Sequence, residues 1–175
     1  MTSRDGEEKG LLGSRHFAAH PTRHAGHLIA DINADMFLPL YPLNRVVAYG
    51  SNESSLGDDL RALAGTRVEL VPDPQPDHLF FVRSDQYNFV RKGIPAVMIM
   101  MLPRPGTPEQ AAYDQWYHER YHVQADDLTQ PVDLDAANSY NELLHRLALR
   151  VADAPTTPRW RADSFFARFE KAPLS

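Results

Sequence analysis

Apolar positions in this chain come in short runs broken by proline and glycine, and the spacing within each run predicts its element. Leu11 to His20 reads as a helix ended by Pro21, and the compact β-prone run LIADIN lies within His27–Leu38, ahead of a loop at Pro39 and Pro42. Arg45–Tyr49 is a second short strand. Ser54 or Ser55 caps a helix through Leu63 that stops at Gly65, and Arg67–Val71 is a strand entering the proline-spaced loop Pro72–Asp77. The run His78–Val82 reads as extended, followed by a short helix near Gln86–Lys92 and a buried-looking strand at Pro95–Met101. After the loop Pro103–Pro108, the aromatic-rich YDQWYHERYH reads as helical, and Val132–Ala152 carries a strong helical period. Asn138, Asn141 and Glu142 mark one face of that helix, and Leu134, Ala137, Leu144, Leu147 and Val151 mark the other. Trp160, Phe165, Phe166 and Phe169 hold too much apolar area to leave in water, so the tail is expected to pack back onto the body. Strands alternating with helices predict an α/β layered sheet. The whole chain, 1–175, reads as a single domain with its core over about 6–152 and a C-terminal tail at 153–175.

Composition narrows the functional classes. The chain has 175 residues, of which 43% are hydrophobic, enough to bury a real core. Eighteen Lys and Arg against 23 Asp and Glu give a net charge of -5, with no basic, aromatic-interleaved stretch to follow a phosphate backbone, so nucleic acid is excluded as an expected partner. The longest apolar run, Ile94 to Leu102, is far short of the roughly 20 residues of a membrane span. The first ten residues, MTSRDGEEKG, carry no apolar export signal, and the compartment stays open. The absence of cysteine removes disulfides, thiolate nucleophiles and Cys-ligated metal, whereas eight histidines leave a His, Asp and Glu metal site open.

Several residues are candidates for that chemistry. In GEEKGLLGS the adjacent Glu7 and Glu8 can point in different directions, so that one can bind a cation while its neighbour takes a proton; they also suit a helix N-terminus. Asp35 ends ADINAD at the carboxyl end of a strand, where open α/β sheets present functional side chains, and where Asp also forms turns. His118, Glu119 and His122 match H-E-x-x-H, two zinc-binding histidines one helical turn apart with a glutamate as base. Helix signals fade from Val123 to Asp127, however, and no further histidine follows before His145. His16, His20, His24 and His27 straddle Pro21 and Gly26 and read as solvated surface.

GEEKGLLGS, ADINADM, SDQYNFVRKGIPAV and RYHVQADDL, in this order, resemble the M28 family of zinc aminopeptidases over roughly residues 6 to 152. The resemblance implies a mixed, largely parallel sheet flanked by helices, and two zinc ions held by loops at one edge. It implies that Glu7 is the general base, that Glu8, Asp35 and His122 are metal ligands, and that Tyr121 stabilises an oxyanion. Ser84-Asp85 matches the dipeptide ahead of the family's pocket helix, although it also reads as a plain helix cap, and Gln86 stands where many members have His. A zinc pair needs hard O and N ligands, one free base and an oxyanion donor, and these residue types are present.

The family's upstream His-x-Asp occurs nowhere in the 175 residues. The expectation is therefore the C-terminal portion of a catalytic domain, incomplete at the N-terminus. Its intact form would remove N-terminal residues from peptides, while this chain alone would be inactive and bind one zinc or none. A missing half or a second copy is the expected cover for its sheet edge. Two other readings stand beside it: a non-catalytic M28-like binding or assembly module, and a self-contained zincin using His118, Glu119 and His122. Members of the family are often exported from the cell.

Overall fold

The computed structural model describes residues 9–22 and 27–170. Helix α1 (Leu12–Ala19) precedes strand β1 (Asp31–Asn33), strand β2 (Arg45–Tyr49), helix α2 (Leu56–Ala64) and strand β3 (Glu69–Val71). The short helices α3 (Phe80–Arg83) and α4 (Gln86–Val90), strand β4 (Ala96–Met101), helix α5 (Pro108–Glu119) and helix α6 (Leu134–Ala152) complete the order. The four strands form one sheet in the order β1-β4-β2-β3. β1 runs parallel to β4 and β3 parallel to β2, whereas β2 and β4 are antiparallel. The mixed, largely parallel α/β sheet flanked by helices expected from the sequence is the architecture found.

β4 is buried at every position, and its alternation divides the core. Val97, Ile99 and Met101 join Val46 and Ala48 of β2 beneath Leu56 and Leu60 of α2 and the stripe Ala136, Tyr140, Leu143, Leu147 and Val151 of α6. Met98 and Met100 turn to the opposite face with Val47 and Tyr49, where Met36, Phe80, Phe81 and Leu102 meet them. Each fully buried large aliphatic residue, such as Leu56, Leu60, Ile99 or Leu147, contributes about 1.5–3 kcal/mol of transfer free energy.

Three sequence expectations are corrected by tertiary contacts. The apolar stripe of α6 is rotated from the expected one: Leu134 is 77% exposed, and Ala136, Tyr140 and Leu143 face the sheet instead. Asp133 caps the helix by accepting from the Asp135 and Ala136 amides, and the Tyr140 hydroxyl donates to the Ile99 carbonyl at 2.5 Å, which fixes the rotation. Ser55 stands at the N-cap of α2 but makes no capping bond; its hydroxyl accepts from the Arg159 amide of the tail. The run His78–Val82 is not extended, because it falls into a 3-10 turn at Pro76–His78 and then α3, started by Pro76 and by Leu79 in the left-handed region (φ 56°).

The tail folds back as expected. Ser54 and Trp160 form an antiparallel bridge, the Trp160 indole donates to the Gly93 carbonyl at 3.1 Å, and Phe166 packs edge-on to Phe81. Gly57, inside α2, lies so close to the preceding turn that a Cβ there would come within 1.7 Å of the Ser51 carbonyl oxygen. Among the described residues no helix is long and apolar enough to cross a membrane.

Candidate active site

A cleft of about 1000 Å³ opens where the carboxyl end of β1, helix α3 and helix α5 converge on the Met98 and Met100 face of the sheet. Asp35, Ser84, Tyr121 and His122 all line it. Residues 35, 84 and 121–122 are thus gathered at one place from three separate segments. Glu7 and Glu8 lie outside the described residues, as does His24.

Asp35 is held on both oxygens. The Ser84 hydroxyl donates to Oδ2 at 2.6 Å and the Met36 amide donates to Oδ1 at 2.8 Å. Each oxygen keeps a second lone-pair direction, so the carboxylate is oriented without being used up. Ser84 is buried, and its hydroxyl serves Asp35 instead of capping α4, which has no side-chain cap. The plain helix-cap reading of Ser84-Asp85 is therefore set aside.

Gln86 is fully buried and does not line the cleft. Its amide donates to the Phe80 and Phe81 carbonyls and its oxygen accepts from Asn33 at 2.8 Å. It ties the end of β1 to α3, the two elements that present Asp35 and Ser84. Gln86 thus acts as a strut under the cleft wall.

His122 follows α5 but is not part of it. The helix starts at the Thr107 cap with Pro108 in its first turn, and it ends at Glu119, where the Arg120 amide still reaches the Trp116 carbonyl. His122 then takes a left-handed conformation (φ 57°). His118 is exposed in the last helical turn and does not line the cleft, and Glu119 is held by the Gln115 amide. The two histidines do not share a helical face, which removes the geometry the H-E-x-x-H reading requires.

Among the described residues, two of the four non-glycine residues with positive φ, Met36 and His122, line the cleft, a placement that costs each of them about 1–2 kcal/mol. The loop after His122 is anchored through Trp116, whose indole donates to Gln130 Oε1 at 2.8 Å, while the Gln130 amide donates to Asp126 at 2.8 Å. A row of rings leads to His122: Tyr113 and Tyr117 are nearly parallel at 6.2 Å, Tyr117 and Tyr121 at 4.8 Å, and Tyr121 and His122 at 3.9 Å. Burial pushes the Tyr113 phenol up, with help from Tyr117, Tyr121 and the Asp114 charge. Tyrosines at 113, 117 and 121 recur every fourth residue, so the row was legible in the sequence; the Asn33–Gln86 and Ser84–Asp35 bonds had no local signal.

Asp35 and His122 offer the hard oxygen and nitrogen that zinc takes. Asp35 is also oriented by neighbouring donors, as metal-binding carboxylates are. Among the described residues no group of three His, Asp or Glu stands close enough to hold an ion. The described donors thus fit part of a zinc site. His16 in α1 and His20 at its C-cap are exposed, with rings 5.1 Å apart, and neither lines the cleft, in keeping with their reading as surface.

The sequence model of Peptidase family M28 matches residues 2–148. The fold is similar to that of an aminopeptidase from Aneurinibacillus sp. strain AM-1, with a TM-score of 0.50 and 18% sequence identity. That likeness covers 88% of this chain and 32% of the aminopeptidase, so the chain spans about a third of that protein's length. No curated protein matches the chain.

Proposed function

The chain belongs to peptidase family M28, and from that premise we propose that its cleft is one part of a zinc aminopeptidase site. The observation that carries this reading is the meeting of Asp35, Ser84, Tyr121 and His122 in one cleft from separate segments. Glu8 and His122 would hold one zinc ion, and Asp35 would hold the other. The chemistry such an ion supplies when bound is Lewis acidity toward water and a peptide carbonyl.

The chain's own residues have separate parts in this reading. Glu7 accepts the proton of the attacking water. Tyr121 donates a hydrogen bond to the oxygen on which negative charge develops. Ser84 and the Met36 amide hold Asp35 in one rotamer, so its orientation is set before the ion arrives. The remaining ligands are proposed to come from a His-x-Asp segment supplied ahead of Glu7 or by another chain, and the chain alone is proposed to be inactive. The peptide is the proposed substrate, and its amino-terminal residue is the one released.

A direct zinc titration of this chain tests the reading. At most one zinc should bind, weakly, through Glu8 and His122, and His122→Ala should abolish it while His118→Ala leaves it intact. Two tightly held ions per chain, or equal losses from both histidines, would overturn the ligand assignment. The sequence's lack of His-x-Asp favours a second reading, a non-catalytic M28-like module. That reading would stand if the chain completed with a His-x-Asp segment bound no zinc.

A further inference from the structure

The wall that α5 gives to the cleft has its own chemistry. Gln110, Tyr113, Asp114 and Tyr117, spaced i, i+3, i+4 and i+7 along the helix, all line the cleft, with Tyr121 beyond them. Stacking closes the ring faces of the three tyrosines, so what the row offers a ligand is its rim. Tyr117 is 44% exposed there, one ring away from Tyr121.

Asp114 lies beside this rim. Its carboxylate accepts from the Gln110 amide at 2.6 Å, a neutral donor that fixes its direction and leaves its charge uncompensated. Asp126, which also lines the cleft, is treated alike by the Gln130 amide. Neither carboxylate forms a salt bridge among the described residues. The cleft's arginines are turned to other partners: Arg45 reaches the Pro103 carbonyl and Glu69, and Arg83 reaches the His78 carbonyl.

A carboxylate oriented by an amide, next to a long aromatic rim, suits one kind of side chain: an extended aliphatic stem ending in a cation. Resting on the peptidase reading above, we propose that the α5 wall makes the cleft selective for a basic amino-terminal residue, Lys or Arg. The stem lies along the rims of Tyr117 and Tyr113, and the charged end meets Asp114. With the residue's carbonyl at Tyr121, its side chain starts one ring away from Tyr117, which is why the first residue of the peptide, and not the second, is the one selected.

Calorimetric titration of the full chain with L-lysinamide and with L-norleucinamide, which has a similar stem and no charge, tests this. Lysinamide should bind about tenfold more tightly, the scale of one partly exposed charge pair with apolar support. The advantage should shrink with added salt, and Asp114→Asn should bring lysinamide down to the norleucinamide level. Lys-Ala amide should likewise outbind Ala-Lys amide. Norleucinamide binding as well as lysinamide, an Asp114→Asn chain that keeps the preference, or an advantage confined to Ala-Lys amide would each overturn the inference while leaving the peptidase reading in place. Failure of all these amides to bind would overturn the inference as well, whereas the peptidase reading falls only to the zinc titration above.

Discussion

Beneath α2 and α6, the sheet face of Val46, Ala48, Val97, Ile99 and Met101 is closed mostly by aliphatic side chains, and the Tyr140 hydroxyl is satisfied on the Ile99 carbonyl. The opposite face has a smaller apolar patch of Val47, Tyr49, Met98 and Met100, and it opens into a cleft whose walls depend on polar bonds between distant segments. The first face provides most of the free energy of folding through buried area. The second holds Asp35, Ser84 and Gln86 in a bonded network whose loss costs less stability and more geometry. Stability and site chemistry are thus assigned to opposite sides of one four-stranded sheet.

That contrast is broken first at Leu147, fully buried in the α6 stripe. Leu147→Ala should cost about 2–5 kcal/mol by denaturant unfolding. Zinc bound per folded chain should not change. If instead the loss were slight, the α6 face would not be the main store of stability.

Gln86→Leu keeps much of the volume and removes the bonds to Asn33, Phe80 and Phe81. It should cost roughly 1–3 kcal/mol, because buried polar groups lose their partners. It should also weaken zinc binding, since β1 and α3 are no longer tied.

Ser84→Ala sharpens the division further. Only about 0.5–1.5 kcal/mol of stability should be lost, whereas in the chain completed with a His-x-Asp segment the affinity for the zinc that Asp35 holds should fall about 10–100-fold, the usual effect of removing a group that orients a ligand. Equal, small effects on both would show that Asp35 does not depend on Ser84 for its direction.

The smallest effect at neutral pH belongs to Tyr49. Burial, chiefly, pushes its phenol up from 10.0 to about 12, with the charge of Asp73 adding to it. A raised folded-state value means that its contribution is whole below pH 10 and is lost as pH rises through 12. Stability should be flat near neutrality and fall across that window, and Tyr49→Phe should remove the matching late step in tyrosinate absorbance. The phenol of Tyr140 is raised in the same direction by burial and by the charge of Asp35.

Local sequence determined a good deal of this protein. A short apolar run located β2 at Arg45–Tyr49 and Gly65 ended α2, because these signals act within a few residues of the element they shape, whereas α5 begins at Pro108, earlier than the aromatic run from Tyr113 that read as helical. The residue types of Asp35, Ser84, Tyr121 and His122 were legible in their motifs, and the structure brings all four to one cleft. What only the tertiary structure decided are the choices in which a side chain has two possible partners. Ser84 binds Asp35, 49 positions away, instead of capping α4, and Ser55 serves the Arg159 amide instead of α2. The rotation of α6 follows the Tyr140 hydroxyl to the Ile99 carbonyl, not the apolar count that placed Leu134 inward. His118 and His122, one helical turn apart in sequence, part because α5 ends between them. For Ser84, Ser55 and Tyr140 a hydrogen bond to a distant group outweighs a weaker local preference, and the identity of that distant group is not written near the residue that meets it.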